Sequence, residues 1–274
     1  MSLRKILKHI LTQLTPYYVL EVSSLTTFSI GYAVGKFLEV HPTLTGIVSG
    51  LIPPLITLYF LPYHFEKDNK FKLFGRVILK DEYHTEVARS VIQKLREIEK
   101  EMGINSNVSY IITKSISMGA MRLNKNNYAV IIPLDFIDKY GDKTYILTVH
   151  ELAHIKLKHL IRMKYLYITL ITLSSIITLA SLNTGIIGLT TTALATPLLM
   201  NSIFLHFQRK WENEADLLTV KYVNPLEFSS MLKSVTKSYK QYDELNQLQE
   251  KHKTMFKMLV PHENVNERIE RVNI

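Results

Sequence analysis

The sequence predicts a membrane α+β fold: four transmembrane helices and a mostly helical part outside the membrane with a small antiparallel sheet. Three observations carry that expectation. Tyr165 to Gln208 runs for 44 residues without Asp, Glu, Lys or Arg, and since one span needs about 20 apolar residues, this run reads as two spans and a short connection. Val40 to Phe65 is likewise free of those four residue types. Between the two runs, residues 66 to 164 combine an amphipathic helical pattern with short apolar strands bounded by polar turns.

Composition narrows the chemistry. The chain has 274 residues, 47% of them hydrophobic, a formal charge of +9 and no cysteine. Disulfides, thiolate metal sites and cysteine nucleophiles are excluded, so histidine and carboxylate must carry any metal. A basic balance suits nucleic acid or an anionic membrane surface. The lysines and arginines flank apolar runs, which favours the membrane. No internal repeat, glycine-rich phosphate loop or Ser/His/Asp order stands out.

Taken in order, the chain opens on a short basic segment with Arg4, Lys5 and Lys8. Val22 to Gly35 follows as a short span rich in Ser and Thr, bracketed by Glu21 and Lys36, whose charges are expected to reach the two interfaces. A cleaved signal sequence ending at Ala33-Val34-Gly35 is the rival reading, and the second apolar run a few residues later argues against it. Val40 to Phe65 is the second span, with a kink at Pro53-Pro54. Residues 1–65 thus form one hairpin, 66–164 and 209–274 two parts of one extramembrane domain, and 165–208 a second hairpin turning at Ser181 to Gly185. In the first of those parts, Asp81 is placed to cap a helix with Val87, Val91, Leu95, Ile98 and Met102 on one face, and Gly103 ends it. Strands are expected over Val108 to Thr113, Ser117 to Arg122 and Tyr128 to Ile132, with a turn at Asn124 to Asn127, and Thr144 is expected to cap the next helix. Later, Asn224-Pro225 starts a helix and Pro261 a last short one.

Positive charge sets the orientation. Arg4, Lys5 and Lys8, then Lys67, Lys70 and Lys72, then Lys156, Lys158, Arg162 and Lys164, then Arg209 and Lys210 all fall on one side of the four spans. Both termini and the extramembrane domain therefore belong in the cytoplasm of a multi-pass plasma-membrane protein.

The chemistry sits in Thr148-Val149-His150-Glu151-Leu152-Ala153-His154. On a helix, residues four apart share a face, so His150 and His154 point the same way and can bind one zinc ion. Glu151 stands beside them, where its carboxylate can take a proton from a water; this is the HExxH arrangement of zinc peptidases. The apolar residues around the motif fit a helix buried in a core. A third histidine of the metzincin kind is excluded, since Leu157 and Leu160 occupy the positions it requires. A straight helix would carry His159 about 140° away from the His150–His154 face, onto the surface. The remaining solution is a carboxylate from a second helix, and Arg209-Lys210-Trp211-Glu212-Asn213-Glu214-Ala215-Asp216 offers one. Glu212 would complete the ligand set, Asp216 one turn on would fix a histidine tautomer, and Glu214 would point into solvent.

HELAH, an uncharged hairpin, RxxExxAD from Arg209 to Asp216, and His262 with Arg268 six residues later together resemble the HtpX-like membrane zinc metalloproteases, gluzincins related to the larger CAAX-prenyl proteases. The resemblance implies a cytoplasmic zincin-like catalytic domain holding one zinc ion per chain on His150, His154 and Glu212. It implies support from Asp216, Arg209 and Arg268, with His262 as a second catalytic group beside Glu151. It also implies a substrate-binding strand at Ser117, Met118, Gly119, Ala120 and Met121, and polypeptide substrates, above all misfolded or damaged membrane proteins, as in protein quality control under stress. Two departures stand out: Glu263, not proline, follows His262, and Met118-Gly119-Ala120-Met121 replaces the family's Asn-Ala-Phe-Ala-like strand. Processing of prenylated C-terminal peptides and a non-catalytic zinc-bound membrane scaffold are the alternatives. The first calls for more spans than this chain has, and an intact Glu151 argues against the second.

Overall fold

The computed structural model of the chain describes residues 3–57, 82–113, 118–238 and 265–272. In chain order its elements are α1 (Leu3–Phe37), α2 (Pro42–Gly50), α3 (Glu82–Glu101), β1 (Asn107–Thr113), β2 (Gly119–Arg122), β3 (Asn127–Pro133), α4 (Leu134–Tyr140), α5 (Thr144–Lys156), α6 (His159–Ala180), α7 (Gly185–Thr219), α8 (Pro225–Ser238) and α9 (Val265–Val272), with short 3-10 turns at Gly141–Lys143 and Ser181–Thr184. The described chain is mostly helical with one small sheet, and its residues fall into two compact units. One holds residues 3–57 and 163–207; the other holds 82–113, 118–162, 208–238 and 265–272.

The first unit is built from α1, α2 and the facing parts of α6 and α7. The uncharged run does fold back on itself: Tyr167 and Phe204 meet edge to face at 5.8 Å, and Leu170, Ile171 and Met200 share a buried cluster with Tyr17 of α1. The reversal lies where the sequence put it, in the 3-10 turn Ser181–Thr184 followed by Gly185 at φ +76°. Small residues let α1 and α2 touch. A Cβ at Gly31 would stand 2.7 Å from the Thr45 carbonyl oxygen, and one at Gly46 2.7 Å from the Phe28 ring, so the two helices approach closely only because these positions carry no side chain.

The expected spans and the bracketing charge Glu21 compare with this unit as follows. Among the described residues, one helical stretch, His159–Thr219, is long and apolar enough to cross a membrane by length and composition; the apolar helix Pro42–Thr57 is shorter, and the rest of the second expected span lies outside the described residues. The first expected span is the end of a single helix, α1, that already begins at Leu3. Glu21 does not reach an interface. It is 2% exposed, accepts hydrogen bonds from the Ser174 and Thr178 hydroxyls of α6, and sits one turn before Ser24, which is bonded to Ser175. The hydroxyls that let this carboxylate be buried come from α6, whereas Ser23, Thr26, Thr27 and Ser29 of the expected span bond carbonyls of their own helix.

The second unit has its core between α3, the sheet, α4, α5 and α8. Val91, Leu95, Ile98 and Met102 bury the predicted face of α3, and Gly103 ends the helix in the left-handed region at φ +61°. Asn124 accepts bonds from the backbone N–H groups of Asn126 and Asn127, the self-bonded turn expected between strands. The sheet is mixed, not antiparallel. Its order is β1-β3-β2, with β1 parallel and β2 antiparallel to β3. Tyr128 to Ile132 is buried at every position, as suits a central strand covered on both faces, whose sequence reads as a continuous apolar run. The Asn124 turn fixes the β2–β3 hairpin, so β1 takes the free side of β3. Thr144 is not a cap. The residue before α5 is Lys143, and the Thr144 hydroxyl bonds the Phe136 carbonyl instead. Asn224 is a cap, accepting from the N–H of Leu226 at 2.9 Å, with Pro225 opening α8.

Candidate active site

The HExxH helix, α5, is buried on all sides along its middle: Ile146 to His150 and Leu152 to Ile155 are all buried, and Glu151 is the half-buried exception. Its surroundings explain its sequence, since a helix with no solvent face carries apolar residues all round. His150 and His154 stand one turn apart, and their Nε2 atoms lie 3.0 Å from each other. The last turns of α7 bring Glu212 to the same point. One of its carboxylate oxygens is 3.3 Å from His150 Nε2 and the other 3.4 Å from His154 Nε2. Of the described residues, these three form a group able to hold a metal, with donor atoms within 4.8 Å of one another. Donors about 2.0–2.1 Å from a shared tetrahedral zinc are roughly 3.3 Å apart. The neutral-imidazole and carboxylate chemistry and the spacing both fit that ion.

Asp216, one turn after Glu212 on α7, sits 2.9 Å from His150 Nδ1, on the side of the ring away from the convergence. Arg268 of α9 donates two hydrogen bonds of 2.7 Å to the two Asp216 oxygens and lies 3.9 Å from Glu212. The ring of Phe228 from α8 stacks 6.4 Å from that of His150. Arg209 stands three residues before Glu212 on α7, half-buried. The Glu151 side chain has no hydrogen bond or ion pair with any other described residue. His262 and Ser117 lie outside the described residues; Met118 to Met121 lead into and form the edge strand β2, with Met118 Sδ 3.6 Å from the Thr148 hydroxyl one turn before Glu151.

Two placements are corrected. His159 is not on the surface and Glu214 is not simply solvated. The helix does not run straight past His154: Lys158 adopts φ +59°, ending α5 and starting α6 at His159. The turn swings His159 back into the protein, where it is fully buried, stacked on Trp211 at 6.0 Å. Its Nδ1 is 3.0 Å from His154 Nδ1 and its Nε2 3.1 Å from Glu214. Arg162 approaches the same Glu214 oxygen at 3.6 Å. No glycine or proline marks this break, so a helical wheel had no reason to stop.

Without a metal, these groups hold charge strongly. Burial disfavours a charged His150, but hydrogen bonds to Asp216 and Glu212 and their negative charges outweigh it and raise its pKa to about 10. Burial opposes ionisation of Glu212 too, yet its two histidine partners hold it well below the usual carboxylate range. Asp216 is likewise lowered to about 2, by His150 and Arg268 against burial. His159 moves the other way, to about 4, by burial first and then by the charge of His154. A raised histidine pKa stabilises the metal-free fold fully below the unfolded value of 6.5, and that contribution is lost as pH rises towards about 10. A zinc ion taken up on His150 Nε2 would have to displace the same proton. Calorimetry in buffers of different ionisation enthalpy is expected to show release of about one proton per zinc at pH 7, with affinity rising about tenfold per pH unit below the His150 pKa. Heats independent of the buffer would contradict that protonation state.

A search of curated proteins and a search of solved structures return no match. A scan against protein families matches Peptidase family M48 over residues 85–273, more than two-thirds of the chain. The match runs from α3 through the HExxH helix and Glu212 to α9, and the chain belongs to peptidase family M48, a family of metallopeptidases.

Proposed function

We propose that the protein is an integral-membrane zinc endopeptidase that hydrolyses membrane or misfolded proteins. The observation that carries the reading is the convergence of His150, His154 and Glu212 beside a half-buried Glu151 with no other partner among the described residues. Zinc held there supplies a Lewis acid for the scissile carbonyl and lowers the pKa of a water to about 7. Asp216 lies 2.9 Å from His150 Nδ1, a contact that favours the proton on that nitrogen and leaves Nε2 as the ligand atom, and Arg268 keeps that carboxylate ionised and in place. Glu151 takes the proton of the attacking water and delivers it to the leaving nitrogen as the peptide C–N bond breaks. His262 is assigned to the developing oxyanion by resemblance alone. The segment Ser117 to Met121 is assigned to the substrate: β2 is an edge strand beside the HExxH helix, and an edge can pair with an extended peptide.

Four spans, in two hairpins, with both termini and the catalytic part in the cytoplasm complete the reading. The α6–α7 hairpin and the distribution of Lys and Arg support it. Because the native chain has no cysteine, single cysteines are clean reporters. In intact cells, a membrane-impermeant thiol reagent is expected to label Asn183→Cys, in the exposed 3-10 turn, and to spare Asn105→Cys, in the exposed stretch after α3. The same preparation, solubilised, should cleave unfolded casein, stop on chelation and recover with zinc. Labelling of both positions, or of neither, would remove the spanning hairpin; cleavage indifferent to chelation would remove the zinc chemistry.

A further inference from the structure

We infer that His159 and Glu214 are positioning residues that set the tautomer and ring orientation of the ligand His154. The inference rests on reading His150, His154 and Glu212 as a zinc centre and goes beyond it. His154 turns Nε2 to His150 and Glu212 and Nδ1 to His159. With Nε2 given to a metal, Nδ1 of a neutral His154 carries the hydrogen. It can only donate, and the atom 3.0 Å away, His159 Nδ1, must then accept. A neutral His159 that accepts at Nδ1 carries its own hydrogen at Nε2, and Glu214 Oε2 lies 3.1 Å from that nitrogen. The line ends on an anion flanked by Arg162 at 3.6 Å. Each donor meets an acceptor in one direction only, from ligand to carboxylate. The opposite assignment puts a hydrogen on His154 Nε2 and removes it from the ligand set.

Packing alone does not ask for this. His159 is fully buried against Trp211, a place a phenyl ring would fill, yet both of its nitrogens have partners. The two zinc ligands are therefore held differently. His150 has a carboxylate directly on its ring, fixed in turn by Arg268. His154 has a carboxylate one imidazole further away, on a residue whose side chain is 34% exposed. Supporting partners that polarise a ligand histidine raise its basicity and fix its rotamer, so the His154 arm is the longer and weaker of the two.

The test uses the full chain in detergent. Zinc affinity is measured by chelator competition, and the His154 Nδ1–H resonance is followed by NMR in the zinc-loaded protein. His159→Phe keeps the ring on Trp211 and removes the acceptor; it is expected to weaken zinc about 10–100-fold and to lose the protected Nδ1–H signal. His159→Gln, whose carbonyl can accept that hydrogen, is expected to recover most of both. Glu214→Leu, at the half-exposed end where folding is not at stake, should weaken zinc about 3–10-fold, and Glu214→Gln by less. Wild-type affinity in His159→Phe, or in Glu214→Leu should the first variant not fold, overturns the inference, as does a His159→Gln no better than His159→Phe. A wild-type chain that takes up no zinc overturns the metal centre itself, whereas zinc-replete wild type with indifferent variants overturns the positioning role alone.

Discussion

Glu151→Gln is expected to abolish proteolysis and leave zinc in place. Glu151 stands between the two histidine ligands in sequence, but it is not one of the three donors His150, His154 and Glu212 that converge, and its side chain makes no hydrogen bond or ion pair with them. It is the half-buried member of an otherwise buried stretch of α5, so it is open to a water and to a substrate. The amide has the same shape and can still hydrogen-bond, but it has no basic oxygen to receive a proton at neutral pH. Loss of a general base typically costs about 10²–10⁴-fold in rate, while the three donors that hold the ion are untouched. Metal analysis and casein cleavage on the same purified protein check both halves. A mutant as active as wild type would remove Glu151 from the mechanism, and a mutant that lost its zinc would make it part of the metal's support.

The sequence made the centre legible because its determinants are local. Two histidines one helical turn apart share a face whatever the rest of the fold does, and so do Glu212 and Asp216. Asn224-Pro225 and Gly103 were readable for the same reason: a side-chain cap and a left-handed glycine act within a few residues. What escaped depended on partners distant in the chain. Lys158 takes a left-handed conformation that nothing in its neighbourhood announces, and that one dihedral carries His159 from an expected surface position to the back of His154. Glu21 is buried because Ser174 and Thr178, more than 150 residues later, lend it hydroxyls. Parallel pairing of β1 with β3 skips the strand between them; the unbroken apolar run of β3 hinted at a central strand without naming its neighbours.

Glu212→Ala is expected to release zinc and activity together, and the order of effects among the carboxylates of α7 follows from where each one points. Glu212 meets both ligand nitrogens, at 3.3 and 3.4 Å. Without it, two histidines remain, and no other described carboxylate lies within reach of both. Of the two ligand histidines Asp216 meets only His150, at its outer nitrogen, so Asp216→Ala should weaken zinc by roughly 10–100-fold. Glu214 acts through a second imidazole and should cost less than Asp216. Glu212→Gln separates charge from shape: the amide fits the same space but is a poor zinc donor, so it should behave like the alanine variant. Folding is the rival explanation for any loss. The metal-free Glu212 variant should still fold at neutral pH, since the His150–Asp216–Arg268 contacts do not pass through Glu212. Zinc content, melting of the metal-free proteins and casein cleavage across Glu212→Ala, Glu212→Gln, Asp216→Ala and Glu214→Ala decide the matter. A zinc-replete, active Glu212→Ala, or a Glu214→Ala that binds zinc more weakly than Glu212→Ala, would mean that the third ligand is not Glu212.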